Sequence, residues 1–487
     1  MEQKSIDRNR RYVSGRESLA YILFDSSKSF NIDKYNDRFL LDVLKIDLDL
    51  RSLAAFINGI WDIVNDSFVG ALVDKTATRW GKFRPYLLAF AVPGTILTCL
   101  YWLLPIFFGT DPYHIPKFIA YLLLIMLKEL TVTFQGLTET GLLGTITHNP
   151  DDRVRLFAVA EVVSGIWESI PEVLMALLID LINRRMIGVS MRSAYVSMGV
   201  FCAAACGVLG IFFAVAAKER VPSSSHGHSY RDGLRSIINN RPMLMILLAD
   251  ITASITINTG VQNYFIDVLG SASISEIILI PGIPLSLLSY TYFQKLRQRV
   301  SVKSMWIFGQ HLSDVTSIAV FFFGCIGGVK DGFYRQIRYM LPAFMLRDML
   351  YKGTLSLNKI PSREILLDAL DYGEWKNGYR GEGVTLTAKG MVHKLAGNVI
   401  GSFNSMVMKR IGYSLNAGFG GQSDKTKFGL FALCMFVPAV MKLLSIIPKL
   451  LYNINGETRE RMYAELSAAR AAKFLYKDED AELSAAD

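Results

Sequence analysis

Long apolar runs recur along the whole 487-residue chain, and they restrict its fold more than any other feature. A helix needs about 20 predominantly apolar residues to cross the hydrocarbon core of a bilayer. Runs of that length, separated by Gly, Pro and charged clusters, fall at 52–73, 86–109, 118–141, 156–183, 193–217, 242–267, 272–293, 304–327, 333–357, 385–412 and 427–453. A further candidate, 17–44, is more polar. The pattern predicts an all-α integral membrane protein with about 12 transmembrane helices.

Composition and charge fit the same class. Hydrophobic residues make up 51% of the chain and charged residues 20%, which is more apolar than a soluble enzyme usually is. The net charge of +9 lies in short segments between the runs, so membrane topology explains it better than nucleic-acid binding. Lys and Arg are denser in the loops that face the cytoplasm if both termini are cytoplasmic. We therefore expect a multi-pass plasma-membrane protein in contact with lipid, with no nucleic acid and no obligatory protein partner.

A central polar stretch divides the candidate spans six and six. It predicts an N-terminal six-helix bundle at 1–217, a cytoplasmic loop at 218–241, a C-terminal six-helix bundle at 242–455 and a charged cytoplasmic tail at 456–487. Two such bundles joined by a loop are typical of secondary transporters.

Acidic residues lie well inside the first long run. Asp62, Asn65 and Asp66 are spaced i, i+3 and i+4, so they share one face of a helix. Their oxygens could bind Na⁺ or exchange a proton, and the alternative is a structural polar face. Two buried carboxylates repel each other, so a closed, empty site is unfavourable. That property suits the coupling of cation binding to conformational change.

Two sequence blocks carry a family resemblance. The first combines Trp61-Asp-Ile-Val-Asn-Asp66, Gly70-Ala-Leu-Val-Asp74-Lys and Arg79-Trp-Gly-Lys-Phe-Arg-Pro85, and the second combines Asp371-Tyr-Gly-Glu-Trp-Lys-Asn-Gly378, Arg380 and Glu382-Gly383. These blocks resemble the glycoside–pentoside–hexuronide:cation symporter family of the major facilitator superfamily. The resemblance implies a major facilitator-type fold with two six-helix bundles and cation-coupled sugar transport.

The resemblance also implies a cation site. Family members bind the coupling cation with two Asp and one Asn on helix two and a Thr on helix four. Asp62, Asn65 and Asp66 match the first three positions, and Thr133 matches the fourth. The family's helix-eleven Lys, near both cation and sugar, corresponds to Lys394. One departure is Ser67, where the family usually has Pro.

The family's sugar ligands are replaced in this chain. Family members contact the sugar with two Asp, one Arg and one Trp on helices one, four and five. The matching positions carry Ser26, Gly136, Glu161 and Thr140. Neighbouring polar side chains could substitute for them, namely Asp25, Gln135 and Glu139. The chain therefore transports a different glycoside or a cationic solute, or it transports nothing at all.

The resemblance assigns a gating role to charges on two loops. The expected gating residues are Asp74, Arg79, Lys82 and Arg84 on the first loop, with Asp371, Glu374 and Arg380 in the second block. Anchoring by positive charge alone would explain the Lys and Arg of the first loop but not Asp74.

The polar candidate span at 17–44 allows two interpretations. Its charges include Asp25, Lys28 and Asp33, which no lipid-facing helix tolerates. It is either a span that lines a wet cavity, which would make these three residues substrate contacts, or an amphipathic segment on the membrane surface.

The leading hypothesis is a cation-coupled secondary transporter that carries a small solute, a sugar or glycoside, with Na⁺, Li⁺ or H⁺. It needs no cofactor and is not an enzyme, since the chain has no GxxxxGK[ST], GxSxG or HExxH motif. The alternatives are a transporter-like solute sensor and a membrane-embedded enzyme.

Overall fold

The computed structural model describes residues 13–76, 78–146, 150–216, 219, 237–254, 257, 261–377, 382–454 and 456–468. Predicted features at other positions, such as Arg380, lie outside the described residues, and so does the side chain of Asp74.

Helices account for nearly all of the described chain. In order they are α1 (Gly15–Ser29), α2 (Leu48–Asp74), α3 (Arg84–Phe107), α4 (Ile115–Thr145), α5 (Pro150–Asn183), α6 (Met191–Ala216), α7 (Arg241–Ser254), α8 (Val261–Asp267), α9 (Ile274–Ile277), α10 (Gly282–Arg297), α11 (Val302–Gly324), α12 (Ile337–Gly353), α13 (Leu355–Asn377), α14 (Glu382–Ser402), α15 (Asn404–Arg410), α16 (Asp424–Leu443), α17 (Ile446–Leu451) and α18 (456–468). Short helical turns lie at Asp33–Tyr35, Asn36–Arg38, Phe39–Leu44, Gly328–Asp331 and Phe333–Arg335.

Residue contacts divide the chain into two compact units. The first comprises Met1–His226, Asn258–Ile277 and Gly401–Phe431. The second comprises Gly227–Ile257, Ile278–Ile400 and Ala432–Asp487. Two short segments of the predicted C-terminal bundle therefore group with the N-terminal helices by contact. The predicted limits of the bundles, loop and tail stay a prediction.

Each unit is built by helix packing. In the first unit α3 packs against α4 and α6, α1 packs against α5 and α6, and α2 packs against α4. In the second unit α11 packs against α12 and α13, and α17 packs against α7.

Only some described helices are apolar enough to cross a membrane by length and composition alone. Five stretches qualify, and a bent pair makes a sixth: Arg84–Phe107, Val159–Asn183, Met191–Ala216, Ile274–Arg297, Asp424–Leu451 and the pair Val302–Gly324 with Gly328–Arg335. Fewer described helices pass this test than the roughly 12 spans expected. Helices such as α2 and α4 are long, but they fail it because they carry charged side chains along their length.

The polar segment at 17–44 is not one continuous helix. Helix α1 begins with a capping box, in which Ser14 and Glu17 each accept a hydrogen bond from the other's backbone N–H. It ends at Ser29, and short turns continue to Leu44. Most residues of these turns are buried in the first unit, which favours the cavity-lining interpretation over a segment on the membrane surface.

Candidate functional site

The four predicted cation ligands lie on two packed helices of the first unit. The Asn65 side-chain amide on α2 donates a 2.8 Å hydrogen bond to the Thr133 hydroxyl on α4. That hydroxyl lies 3.3 Å from Asp66 Oδ1 and donates to it. Asp62, one turn earlier, is 5% exposed. The structure therefore brings Asn65, Asp66 and Thr133 together by direct contact, with Asp62 on the same helix.

The oxygens of this cluster suit a small hard cation. Asn65 is 1% exposed, and its side-chain carbonyl oxygen has no hydrogen-bond partner among the described residues. A buried amide oxygen left without a donor is costly. Carboxylate, amide and hydroxyl oxygens are the ligands that hard cations prefer. The residues present therefore fit a coupling cation such as Na⁺ or Li⁺, which is cargo rather than a resident cofactor.

Beside this cluster, α1, α3, α4 and α6 surround a cavity of about 340 Å³ within the first unit. That volume lies at the lower end of the range for small-molecule sites. The lining includes hydrogen-bonding side chains, namely Asn31, Thr95, Thr98, Thr131 and Gln135. It also includes aromatic faces, Phe24, Phe30 and Trp102. A cavity with polar groups and aromatic walls can bind a polyhydroxylated solute.

A charged network forms one wall of the cavity. The Lys28 ammonium lies 2.7 Å from Glu139 Oε1 and 3.1 Å from Asp25 Oδ1. The Ser164 hydroxyl on α5 donates to Asp25 Oδ2 at 2.7 Å. Lys28 and Glu139 line the cavity, whereas Asp25 reaches it only through Lys28. The sequence pointed to all three charged residues but could not show that they pair.

The other predicted substrate residues have different surroundings. Gln135 lines the cavity and donates to the Phe90 carbonyl at 3.1 Å. Ser26 is 2% exposed and is not part of the lining, and Glu161 is exposed on α5 and is also outside it. Lys394 lies half-buried on α14, in the second unit. Asp33 lines the cavity, as expected of a cavity-lining segment.

Two further ion-pair networks were not predicted. Arg38, 3% exposed, lies 2.6 Å from Asp267 Oδ2 and 2.9 Å from Asp42 Oδ2, and it donates to the Tyr413 hydroxyl at 3.1 Å. The unusual density of charged residues between Lys28 and Arg38 is visible in the sequence. The distant partners of Arg38, more than 200 residues away, are not.

The second unpredicted network surrounds Lys34. Its ammonium lies 2.9 Å from Glu172 Oε2 and 2.6 Å from Glu276 Oε1, and the Tyr35 hydroxyl donates to Glu276 at 3.1 Å. Both networks join the segment after α1 to distant helices of the same unit, which explains how so many charges can be buried.

The predicted gating loop is held by a residue that the sequence analysis missed. The Glu219 carboxylate accepts hydrogen bonds from the backbone N–H groups of Lys82, Phe83 and Arg84, at 2.8, 2.8 and 3.1 Å. These groups open α3, so the carboxylate caps its positive end. The Arg84 guanidinium donates to the carbonyls at the end of α6. Arg79 is exposed.

The second predicted gating block contacts the last described helix. The Tyr463 hydroxyl on α18 donates to Asp371 Oδ2 at 3.2 Å and to Asp368 Oδ1 at 2.8 Å. The Trp375 indole donates to Glu465 Oε2 at 2.7 Å. Glu374 lies half-buried on the same helix, α13.

Comparison with known proteins decides the family. The family model described as MFS/sugar transport protein matches residues 15–456, which is most of the chain. The chain belongs to this family. It is a multi-pass membrane transporter and not an enzyme, as predicted.

Relatives and solved structures agree with this assignment. The chain is 24% identical over 483 residues to the isoprimeverose transporter of Lactiplantibacillus pentosus, covering 97% of this chain and 95% of that protein. It is 25% identical to the inner membrane symporter YicJ of Escherichia coli, covering 93% of each. The xylose transporter XylE from E. coli shares its fold, with a TM-score of 0.53 and 13% identity over 92% of this chain and 98% of that one. The predicted all-α major facilitator-type fold and the family resemblance are confirmed.

Proposed function

We propose that the protein is a cation-coupled symporter of a sugar or glycoside in the plasma membrane, with both termini cytoplasmic. The family assignment supports a sugar transporter, and a relative named as a symporter supports coupling. The cation site consists of Asp62, Asn65, Asp66 and Thr133, and the sugar site is the cavity in the first unit.

One observation carries this proposal. Helix α4 presents Thr133 to the cation cluster and, two and six residues later, Gln135 and Glu139 to the cavity. A shift of α4 on cation binding therefore moves cavity groups directly. Because coupling requires that each ligand change the other's affinity, a shared rigid helix is a sufficient physical link.

The charged side chains of the cavity determine which donors and acceptors are available to a bound solute. Lys28 is neutralised by Asp25 and Glu139. Lys128 lines the cavity, and its ammonium lies 5.3 Å from the Tyr101 ring centroid. No carboxylate lies within ion-pair distance of Lys128 in the part of the chain that the structure describes. Its donors are thus available to sugar oxygens, while Asp33 offers acceptors to sugar hydroxyls.

The test is the thermal stability of the purified protein in choline, Na⁺ and Li⁺. Each salt is combined with isoprimeverose, xylose or methyl glucuronide, and wild type is measured beside Asp62→Asn. A ligand that binds only the folded state at 100 Kd stabilises by about 2.7 kcal/mol. We expect a Na⁺-dependent rise that is lost in Asp62→Asn and a further rise with a sugar. An equal response in both proteins contradicts the cation site.

Vesicle uptake separates transport from sensing. A symporter accumulates radiolabelled sugar in proteoliposomes when an inward cation gradient is imposed, and without the gradient it only equilibrates the sugar across the membrane. Sugar binding that raises thermal stability without any flux favours the sensor alternative.

A further inference from the structure

A second buried group of ionisable side chains lies in the other unit. His311 and Asp314 are on α11, and Lys449 is on α17. Their exposed fractions are 5%, 7% and 2%. Neither the family resemblance nor the proposed transport site uses them. Ionisable residues buried in a membrane protein are rare and are candidates for function.

The three side chains form a linear hydrogen-bonded chain. Lys449 Nζ lies 2.7 Å from His311 Nε2. His311 Nδ1 lies 2.9 Å from Asp314 Oδ2. Lys449 also donates to the Gln310 side-chain carbonyl. Every link is short enough for direct proton transfer without an intervening water.

Protonation states follow from the donors and acceptors. An ammonium can only donate, so a charged Lys449 requires Nε2 of a neutral His311 as acceptor. The imidazole proton is then on Nδ1 and is donated to the Asp314 carboxylate. The charges of the three groups sum to zero in this state. A further proton on His311 would place an imidazolium 2.7 Å from an ammonium, which is strongly unfavourable.

The same chain offers a second position for one proton. If the proton moves from Lys449 Nζ to His311 Nε2, the amine accepts from Nε2–H and an imidazolium faces Asp314 directly. Loss of that proton leaves a neutral amine, a neutral imidazole and the Asp314 charge. The cluster therefore holds or releases one proton.

Other charged groups act on the cluster from the helices that pack against α17. Helix α17 packs against α7 and α11. The acidic groups that act on Lys449 are Asp314 on α11 and Asp250 on α7. Asp250 is paired with Lys389 of α14 at 2.5 Å. The Trp306 ring lies 5.2 Å from Lys449 Nζ and excludes water from that side.

We propose that His311, Asp314 and Lys449 form a proton-binding site in the second unit, loaded and unloaded once in each transport cycle. The site goes beyond the proposed cation cluster, since it lies on different helices and takes a different ion. Transport then moves one proton with each solute. The proton enters the cluster on one side of the membrane and leaves it on the other.

The first test needs no transported solute. The chain has six histidines, so protein labelled with ¹⁵N in the histidine rings gives few signals, and the one absent from His311→Gln identifies His311. In lipid nanodiscs we expect Nδ1 protonated and Nε2 unprotonated at neutral pH, and ring signals that change with pH because loss of the cluster's proton removes the ammonium donor at Nε2. The midpoint of that change should move in Lys449→Gln. A His311 signal that ignores pH, or a midpoint unchanged in Lys449→Gln, overturns the proposal.

The second test measures proton movement and rests on the proposed transport function. Full-length protein in liposomes with an entrapped pH dye receives isoprimeverose, xylose or methyl glucuronide in Na⁺-free choline medium. Sugar should acidify the lumen in wild type, about tenfold more slowly in Lys449→Gln and Asp314→Asn. Lys442→Gln, an exposed lysine of α16, is the matched control.

The variants distinguish failure of the proton site from failure of the proposed cation-coupled transport. Asp66→Asn should lose the Na⁺-dependent rise in thermal stability, whereas its His311 ring signals should respond to pH as in wild type. Equal acidification in wild type and Lys449→Gln overturns the proton site while leaving the cation cluster intact. If no sugar in the panel is transported, the proposed function fails for these sugars and the histidine titration alone decides the proton site. Size-exclusion profiles exclude misfolded variants, and the isosteric Asp314→Asn is expected to fold.

Discussion

The two buried polar clusters of this transporter differ in the atoms that they present. The cluster at Asn65, Asp66 and Thr133 presents carboxylate, amide and hydroxyl oxygens. The cluster at His311 and Lys449 presents nitrogen atoms and one carboxylate. Oxygen ligands suit a hard metal cation, whereas an ammonium and an imidazole suit a proton. We therefore expect the two clusters to take different ions, because burial of charge alone does not decide which ion a site binds.

The largest expected effect comes from removing a charge from the oxygen cluster. Asp66→Asn should abolish stabilisation by Na⁺, which is about 2.7 kcal/mol at 100 Kd, because the neutral amide no longer offsets the cation's charge. Thermal unfolding with and without Na⁺ measures it. Asp49→Asn, an exposed residue on the same helix, should keep the full Na⁺ response. Loss of the response in Asp49→Asn as well would remove the distinction between the clusters.

A smaller effect is expected at Thr133. Thr133→Val removes one oxygen ligand and the acceptor of the Asn65 amide, so Na⁺ affinity should fall about tenfold, or 1.4 kcal/mol. Thr133→Ser keeps the hydroxyl and should stay near wild type. Na⁺ titration of thermal stability gives both affinities. If Ser and Val behave alike, the hydroxyl is not a ligand.

Glu139 tests the cavity separately from both ion sites. Glu139→Gln weakens the pair with Lys28, so the KM for sugar should rise about tenfold while the Na⁺ midpoint stays unchanged. Lys28 is partly exposed and keeps Asp25, so the free energy of unfolding should fall by only about 1 kcal/mol or less. Uptake kinetics at several Na⁺ concentrations measure the KM for sugar and the Na⁺ midpoint separately. Glu168→Gln, exposed on α5, is the control.

Lys394 tests whether the second unit also serves the sugar. Lys394→Ala should weaken sugar binding by a few-fold, about 1 kcal/mol or less, because one half-buried ammonium is lost. Sugar-dependent thermal shifts measure it beside Lys442→Ala. Unchanged affinity would show that the family's helix-eleven lysine does not carry over to this chain.

The smallest effect is expected at Glu465, an exposed side chain of α18, which shows how little an ionisable group contributes when it is not buried. Hydrogen bonds from Arg461 and from the Trp375 indole hold the pKa of Glu465 below its usual range. A lowered folded pKa stabilises above the unfolded value, about 4.3, and that contribution is lost as the pH falls through the folded value. Hydrogen exchange at 456–468, corrected for its intrinsic pH dependence, should rise slightly in wild type on acidification. In Glu465→Gln it should be raised already at neutral pH.

The sequence predicted the helical membrane class, the family and the composition of the cation cluster. The i, i+3, i+4 spacing placed Asp62, Asn65 and Asp66 on one helix face because that relation is local. The contact of Asn65 with Thr133 followed from the family resemblance and is present in the structure. The roles of these residues stay predictions.

Other features depend on distances that no local pattern encodes. The break after Ser29 and the partners of Lys34 and Arg38 arise from packing among distant helices. Glu219 was also missed, because a carboxylate in a polar stretch gives no sign of the helix that it caps.

The Arg38 network has a consequence for synthesis and membrane insertion. Its partners Asp267 and Tyr413 follow it by 229 and 375 residues. A nascent chain that ends before Asp267 leaves Arg38 with its local partner Asp42 but without its long-range partners, and incompletely paired charge in a lipid environment is expensive. We therefore expect the N-terminal helices to reach their final packing only after most of the polypeptide has been made, so that the first unit assembles late.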